Sequence, residues 1–285
     1  MVQLRVVSVT LAIAALAAAA DPPFLRRDLA DVRPQADDLT AGAAGASYKP
    51  LFGAGDRDAG QLKTVARYGE LTLEPGRSSA SVTYSAEEQI YFIVEGAGEL
   101  RYGAGTVRVR ANDFVYLPPG VRHGIASSGE GPLRCIVMGY RIPAGVTAQP
   151  PQRLLLANAD EVNLQVLGQH GPTTQFKLLM GLTSSQRDKL AAAYVMNSLF
   201  LMDFAPGGTN IPHKHAAEEE IYLLLRGHGE IVAGLDSEGK EIRHPANEGT
   251  VFFFKPGTQV GYYSSAREGH PHDLILAARS WLPRP

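Results

Sequence analysis

The chain carries one segment twice. "EPGRSSASVTYSAEEQIYFIVEGAGE" (74–99) aligns without gaps to "APGGTNIPHKHAAEEEIYLLLRGHGE" (205–230), at an offset of 131 residues. The match resumes in "NDFVYLPPGVRHGI" (112–125) and "GTVFFFKPGTQVGY" (249–262) at an offset of 137, the six added residues falling in a polar hairpin around "LDSEGKEIRH" (235–244). A unit repeated at fixed spacing is one supersecondary block used again, so the fold must accept two copies in tandem. Each copy is built of short apolar or alternating runs punctuated by Gly and Pro, such as "GELTL", "QIYFIVEG", "DFVYLPPG" and "LRCIVMGY". Runs of that length with regular turn signals predict an all-β sandwich or barrel.

The repeat divides the chain. Residues 62–148 form the first unit and 195–285 the second, with a connection and lead-in strands over 149–194. "SSQRDKLAAAYVM" (184–196) reads there as a helix-like or irregular insertion. Residues 21–61 read as a polar arm over the surface, with a short helix near Phe24 to Ala30. The first twenty residues differ in kind: Arg5 precedes an apolar segment from Val6 to Leu16, and an Ala run offers a cleavage site before Asp21. That is the pattern of a secretory signal peptide, and the apolar run falls short of the about 20 residues a membrane span needs. A periplasmic or secreted protein is expected, with no membrane span after signal removal. Cys135 is the only cysteine, so no internal disulfide can form, and its apolar run marks it as a small buried hydrophobe. With Lys+Arg 27 against Asp+Glu 29 and no basic run, nothing favours nucleic acid as a partner.

The second copy contains Gly207, His213-x-His215, Glu220 and Gly227 at a spacing that resembles the first motif of the cupin superfamily. "PPGVRH" in the first copy resembles the second motif. With both copies included, the resemblance covers most of the chain from about Leu62, so the protein resembles a bicupin: two tandem jelly-roll barrels preceded by an N-terminal arm. Such barrels often enclose a ligand or metal.

Side chains alternate faces along a strand, so His213 and His215 point one way and Lys214 the other. Glu220, at the start of the next strand, can meet both imidazoles. Two imidazoles and one carboxylate form a facial set with open positions, the arrangement of catalytic rather than closed structural sites. Glu218 and Glu219 recur as Glu87 and Glu88 in the first copy, whereas Glu220 is replaced there by Gln89 together with both histidines (Val82 and Tyr84). Glu220 is therefore the expected ligand, Glu219 a candidate base, and Tyr262 a pocket-lining candidate for catalysis. His123 of the first copy aligns with Val260 of the second, so the usual last cupin histidine is missing, and Gln259 or Tyr262 would reach the metal only across a strand bulge. The first barrel is expected to be metal-free, with His123 a hydrogen-bonded core residue. The other histidines, His170 among them, are expected at the surface.

The expected cofactor is one divalent transition metal per chain, with Mn, Fe and Zn foremost. The resemblance implies a metal-dependent enzyme acting on a small oxygen-rich molecule, by oxidation as in cupin dioxygenases or by Lewis-acid hydrolysis or isomerisation. Seed-storage bicupins imply the other class, a noncatalytic metal or small-ligand binding protein of the cell envelope. A homodimer is compatible with the resemblance, the arm swapping onto a neighbour.

Overall fold

The computed structural model describes residues 22–149, 151, 153–168 and 170–281. The expected signal segment lies outside them. The arm contributes β1 (Phe24–Asp28), and the first barrel follows with β2 (Ala46–Gly53), β3 (Val65–Leu73), β4 (Glu87–Glu95), β5 (Ala97–Tyr102), β6 (Gly105–Arg110), β7 (Asp113–Leu117), β8 (His123–Ser127) and β9 (Leu133–Arg141). The connection carries β10 (Leu155–Asn158). The second barrel consists of β11 (Thr174–Leu182), β12 (Leu190–Ala193), β13 (Met196–Phe204), β14 (His213–Lys214), β15 (Glu218–Arg226), β16 (His228–Leu235), β17 (Glu241–Asn247), β18 (Thr250–Phe254), β19 (Gln259–Ser264) and β20 (Asp273–Trp281). The all-β, two-barrel expectation is borne out.

Each barrel is a large sheet facing a small one. In the first the orders are β10-β7-β4-β9-β3-β2 and β6-β5-β8; in the second, β1-β18-β15-β20-β13-β11-β12 and β14-β19-β16-β17. The outermost strands come from unexpected places. Phe24 to Ala30 is not helical: β1 pairs antiparallel with β18 of the second barrel, Phe24 opposite Phe254 and Asp28 opposite Thr250. β10 does the same to β7 of the first barrel, Leu155 opposite Tyr116 and Asn158 opposite Asp113. Each lead-in strand thus closes the sheet edge of the barrel farther along or farther back in the chain, where an open edge would invite pairing with another chain. Side chains lock both exchanges: Thr250 donates to Asp28 at 2.6 Å and Asn158 donates to Asp113 at 2.7 Å. The 184–196 insertion also differs from its helix-like reading, because Leu190–Ala193 pairs in parallel with β11. β2 extends the first barrel's sheet upstream of residue 62 by pairing with β3.

The apolar run "IYLLL" is continuous because both faces of β15 are buried. Tyr222 and Leu224 face the second barrel's interior, with Phe252, Phe254, Val260 and Tyr262. Ile221 and Leu223 face a separate core shared by the two large sheets, with Ile90 and Phe92 of β4, Phe52 of β2 and Phe253 of β18. β4 shows the same division, Tyr91 and Ile93 entering the first barrel's interior. Cys135 is fully buried there.

Two buried carboxylates fasten the shared core. Glu88 accepts from the backbone N–H groups of Tyr194, Val195 and Met196 at 2.7–2.9 Å, and from Tyr116 Oη at 3.2 Å. Glu219 accepts from the N–H groups of Lys63 and Thr64 at 2.7 and 2.8 Å and from Thr64 Oγ1. The repeated second glutamate is therefore a reciprocal clamp, each barrel reaching into the chain that leads into the other. Truncating either carboxylate strands buried N–H donors. Glu88→Ala and Glu219→Ala are each expected to lower unfolding free energy by about 3 kcal/mol in urea titrations. A change below about 0.5 kcal/mol, the size of a neutral surface substitution, would show that the clamp is not holding the barrels.

Candidate metal centre

β14 pairs with β19, setting His213 opposite Val260 and Lys214 opposite Gln259. Residues directly opposite on antiparallel strands share a face. Lys214 and Gln259 therefore face away from the barrel while His213 and buried Val260 face in. His213 Nε2 lies 3.0 Å from His215 Nε2, and His215 Nε2 lies 3.4 Å from Glu220 Oε2. His213 is oriented by its Nδ1, which donates to the Ile211 carbonyl at 3.0 Å. That bond leaves Nε2 as the lone-pair nitrogen, the usual arrangement of a ligating imidazole. Ile211 itself takes φ 51, a left-handed conformation uncommon for a β-branched residue. It turns the chain into the two histidines.

Burial sets the charges. It pushes His215 down to about 3, with Arg279 and His213 adding to the effect, and it also lowers His213. Burial pushes Glu220 up to about 7, partly offset by Arg279. The His215–Glu220 contact is thus a meeting of neutral imidazole and carboxyl rather than an ion pair. Glu220 Oε2 is buried without a hydrogen-bond partner, an arrangement disfavoured unless something else satisfies it. Two imidazole nitrogens and an unsatisfied carboxylate oxygen stand in a row of contacts, donor types that suit a divalent transition ion, although among the described residues no three such side chains are grouped closely enough to hold one as they stand.

Arg279 adds a cation that sequence reading did not find. It pairs with Glu220 across β20 and β15. Its Nε is 3.9 Å from Glu220 Oε1, and its Nη1 donates to His215 Nδ1 at 3.3 Å. Ligation through His215 Nε2 requires the tautomer with Nδ1–H, so the guanidinium must move off that nitrogen. Arg187, Ser198, Asn210, Tyr222 and His170 complete the walls of a cavity of about 20 Å³ around His213, His215, Glu220 and Arg279. That volume holds about one water-sized group.

The remaining sequence candidates lie elsewhere. Gln259 is directed outward by the register, without the bulge that would bring it in. Tyr262 is buried in the interior, its hydroxyl donating to Asp273 at 2.8 Å and its ring edge-on to Phe204. Glu219 sits on the opposite face of β15 from Glu220, its carboxylate held by Lys63 and Thr64. His170, expected at the surface, is half-buried with its ring 4.8 Å from that of His213.

The first barrel fills the equivalent space with its own side chains. Gly139 stands where the second barrel has Arg279, and an added Cβ there would lie 2.5 Å from Gln89 Nε2 and 2.6 Å from Arg67 Cγ. Arg67 supplies the guanidinium from the neighbouring strand, and Asp38 of the arm meets it at 2.9 Å while accepting from Tyr84 at 2.8 Å. His123 Nδ1 bonds the Val121 carbonyl at 3.0 Å, and its ring packs against Tyr84 and Tyr91.

Comparisons with known proteins agree with the two-barrel fold. The crystal structure of protein Ylba from E. coli superposes with a TM-score of 0.69 at 14% identity, covering 95% of this chain and 96% of that one. A Bacillus subtilis oxalate decarboxylase structure, described for its Mn(II) centres, superposes with a TM-score of 0.64 at 11% identity, over 90% of this chain and 76% of that one. A germin-like protein of Arabidopsis thaliana (subfamily 2 member 4) is 30% identical over 102 residues, 35% of this chain and 46% of the relative, so the match spans under half of that protein. The cupin domain family matches residues 69–139 and 200–271, one span in each barrel and together about half the sequence. With two jelly-roll barrels and a match in each, the chain belongs to the cupin family, as a bicupin.

Proposed function

We propose that the second barrel binds one divalent transition metal, Mn, Fe or Zn, through His213, His215 and Glu220, and serves as an exported enzyme acting on a small oxygen-rich molecule. The observation that carries this reading is the run of contacts from His213 Nε2 to His215 Nε2 and on to the unsatisfied Oε2 of Glu220. The Mn(II) centres of the oxalate decarboxylase relative support it. When bound, such an ion supplies Lewis-acid activation of an oxygen donor or the redox capacity for dioxygenase-like oxidation. The chain's own residues supply the rest. Arg279 and Arg187 place two guanidinium groups on the cavity wall, suited to orienting an anionic oxygen. Tyr222 offers a hydroxyl held by Asn210 Nδ2 at 3.3 Å. Leu167, Phe176, Leu178, Phe200 and Met202 form an apolar surround that limits water. Export rests on the N-terminal pattern, and among the described residues no helix is long and apolar enough to cross a membrane.

The narrow cavity of about 20 Å³ favours a second reading, a noncatalytic metal or small-ligand binding protein. An enzyme must widen this space, and Arg279 is the side chain whose withdrawal does so.

Elemental analysis after growth with supplemented Mn, Fe and Zn is expected to give about one ion per chain, lost in His213→Ala. No retained metal under any supplementation, with His213→Ala indistinguishable from wild type, would remove the site. Iron with oxygen uptake selects oxidation; Zn or Mn without uptake selects Lewis-acid chemistry.

Metal uptake is also expected to release protons in a pH-dependent way. Below about pH 7 the Glu220 carboxyl is mostly protonated, so binding expels about one proton; above it, about none. Apparent affinity therefore rises with pH and flattens above 7, while His215, already neutral, contributes nothing in that range. Calorimetry in buffers of different ionisation enthalpy measures the released proton. Equal release at pH 6 and pH 8, or release that persists in Glu220→Gln, contradicts the assignment.

A further inference from the structure

The family pattern asks for a donor from β19, and β19 presents Val260. We propose that His170, from the segment crossing into β11, supplies the third imidazole of the centre instead. The inference rests on the metal-binding reading above and extends it to a residue outside both cupin motifs.

Three observations carry it. First, the ring spacing is that of neighbouring ligands. The centroids of His170 and His213 are 4.8 Å apart, the same separation as His213 and His215. Imidazoles adjacent on one ion, with metal–nitrogen bonds of about 2.1 Å, have centroids about 4.6 Å apart. His170 also lines the same cavity as His213, His215 and Glu220. Secondly, His170 is oriented like His213. Its Nδ1 bonds the backbone carbonyl of Asn210 at 3.1 Å, leaving Nε2 with the lone pair, as an outer-shell carbonyl does for a ligating histidine. Asn210 is itself a fixed post: it is fully buried, its Oδ1 accepts from Tyr262 N at 2.9 Å and its amide reaches Tyr222 Oη at 3.3 Å.

Thirdly, the fold delivers a side chain by this route in both barrels. The two crossing segments follow matching isolated bridges, Gln35 with Tyr48 and Gln165 with Phe176. In the first barrel the segment after Gln35 brings Asp38 onto Arg67 and Tyr84. In the second, the segment after Gln165 brings His170 beside His213. The inserted group is a carboxylate where the barrel holds a buried guanidinium, Arg67, and an imidazole where it holds two imidazoles and a carboxylate.

The test uses the full chain and Mn2+ alone. Pulsed electron paramagnetic resonance of the wild-type complex is expected to show three coordinated imidazole nitrogens. His170→Ala is expected to show two, with Mn2+ affinity falling at least about tenfold and the thermal melt of the metal-depleted protein unchanged. Two nitrogens in the wild type overturn the assignment without any variant. Equal affinity in wild type and His170→Ala, while His213→Ala loses binding, overturns it and leaves the proposed function standing. A wild-type protein that takes up no Mn2+, Fe2+ or Zn2+ overturns both.

Discussion

The rest of the molecule depends on the core that the two large sheets share. β4 and β15 each have an interior face and a face turned to the other barrel, and both faces are dry. Strands in that position cannot slide or twist independently, because a register slip of one residue exchanges the faces. The reciprocal carboxylates of Glu88 and Glu219 fix the register further, since each binds backbone N–H groups from the opposite half. Breaking either would leave buried donors unpaired, a larger penalty than the gain from making such a bond. The candidate metal centre inherits its precision from this arrangement. Glu220 is held at 2% exposure on the inward face of a strand whose outward neighbour, Glu219, is clamped.

The same arrangement explains the chemistry of the cavity. Three glutamates in a row have three fates because pleat parity and strand position differ at each step: Glu218 stays at the strand start, Glu219 enters the shared core and Glu220 enters the barrel. A carboxyl buried among neutral imidazoles has no cation of sufficient strength beside it. Arg279 approaches to 3.9 Å, too long for a hydrogen bond. In the first barrel Gln89 stands in place of the carboxyl and Asp38 is set on Arg67, while Gln89 Oε1 and His123 Nε2 stay buried without a hydrogen-bond partner. One barrel has set a carboxylate of its own arm on its buried arginine, and the other has kept donors facing one another.

Much of this was legible in the sequence. The repeat announced two barrels, and comparison of the copies separated Glu220 from its neighbours, because the residue that changes with the histidines belongs with them. Alternation alone put His213 and His215 on one face. What escaped reading was long-range. β1 and β10 are short strands whose pairing partners lie in the other half, and nothing local distinguishes "FLRRD" from a loop or a helix start. Extending the repeat would have found them, since "FLRRDLADV" (24–32) and "LLLANADEV" (154–162) occupy equivalent places. Gln259 and Tyr262 could reach the metal only across a bulge in β19, and the register of that strand is regular. Arg279 and His170 carry no motif; each reaches the cavity from a part of the chain remote from the histidine pair.

The strand exchange has an evolutionary consequence. Because β1 finishes the second barrel and β10 finishes the first, the halves are interlocked like links rather than strung like beads. A cut between them would leave each half lacking an edge strand that travels with the other. The sequence inside either barrel is then free to diverge, yet neither barrel can be discarded, for each completes the other's sheet. Duplication of this kind turns each copy into a buttress of the other, and selection on either half preserves both.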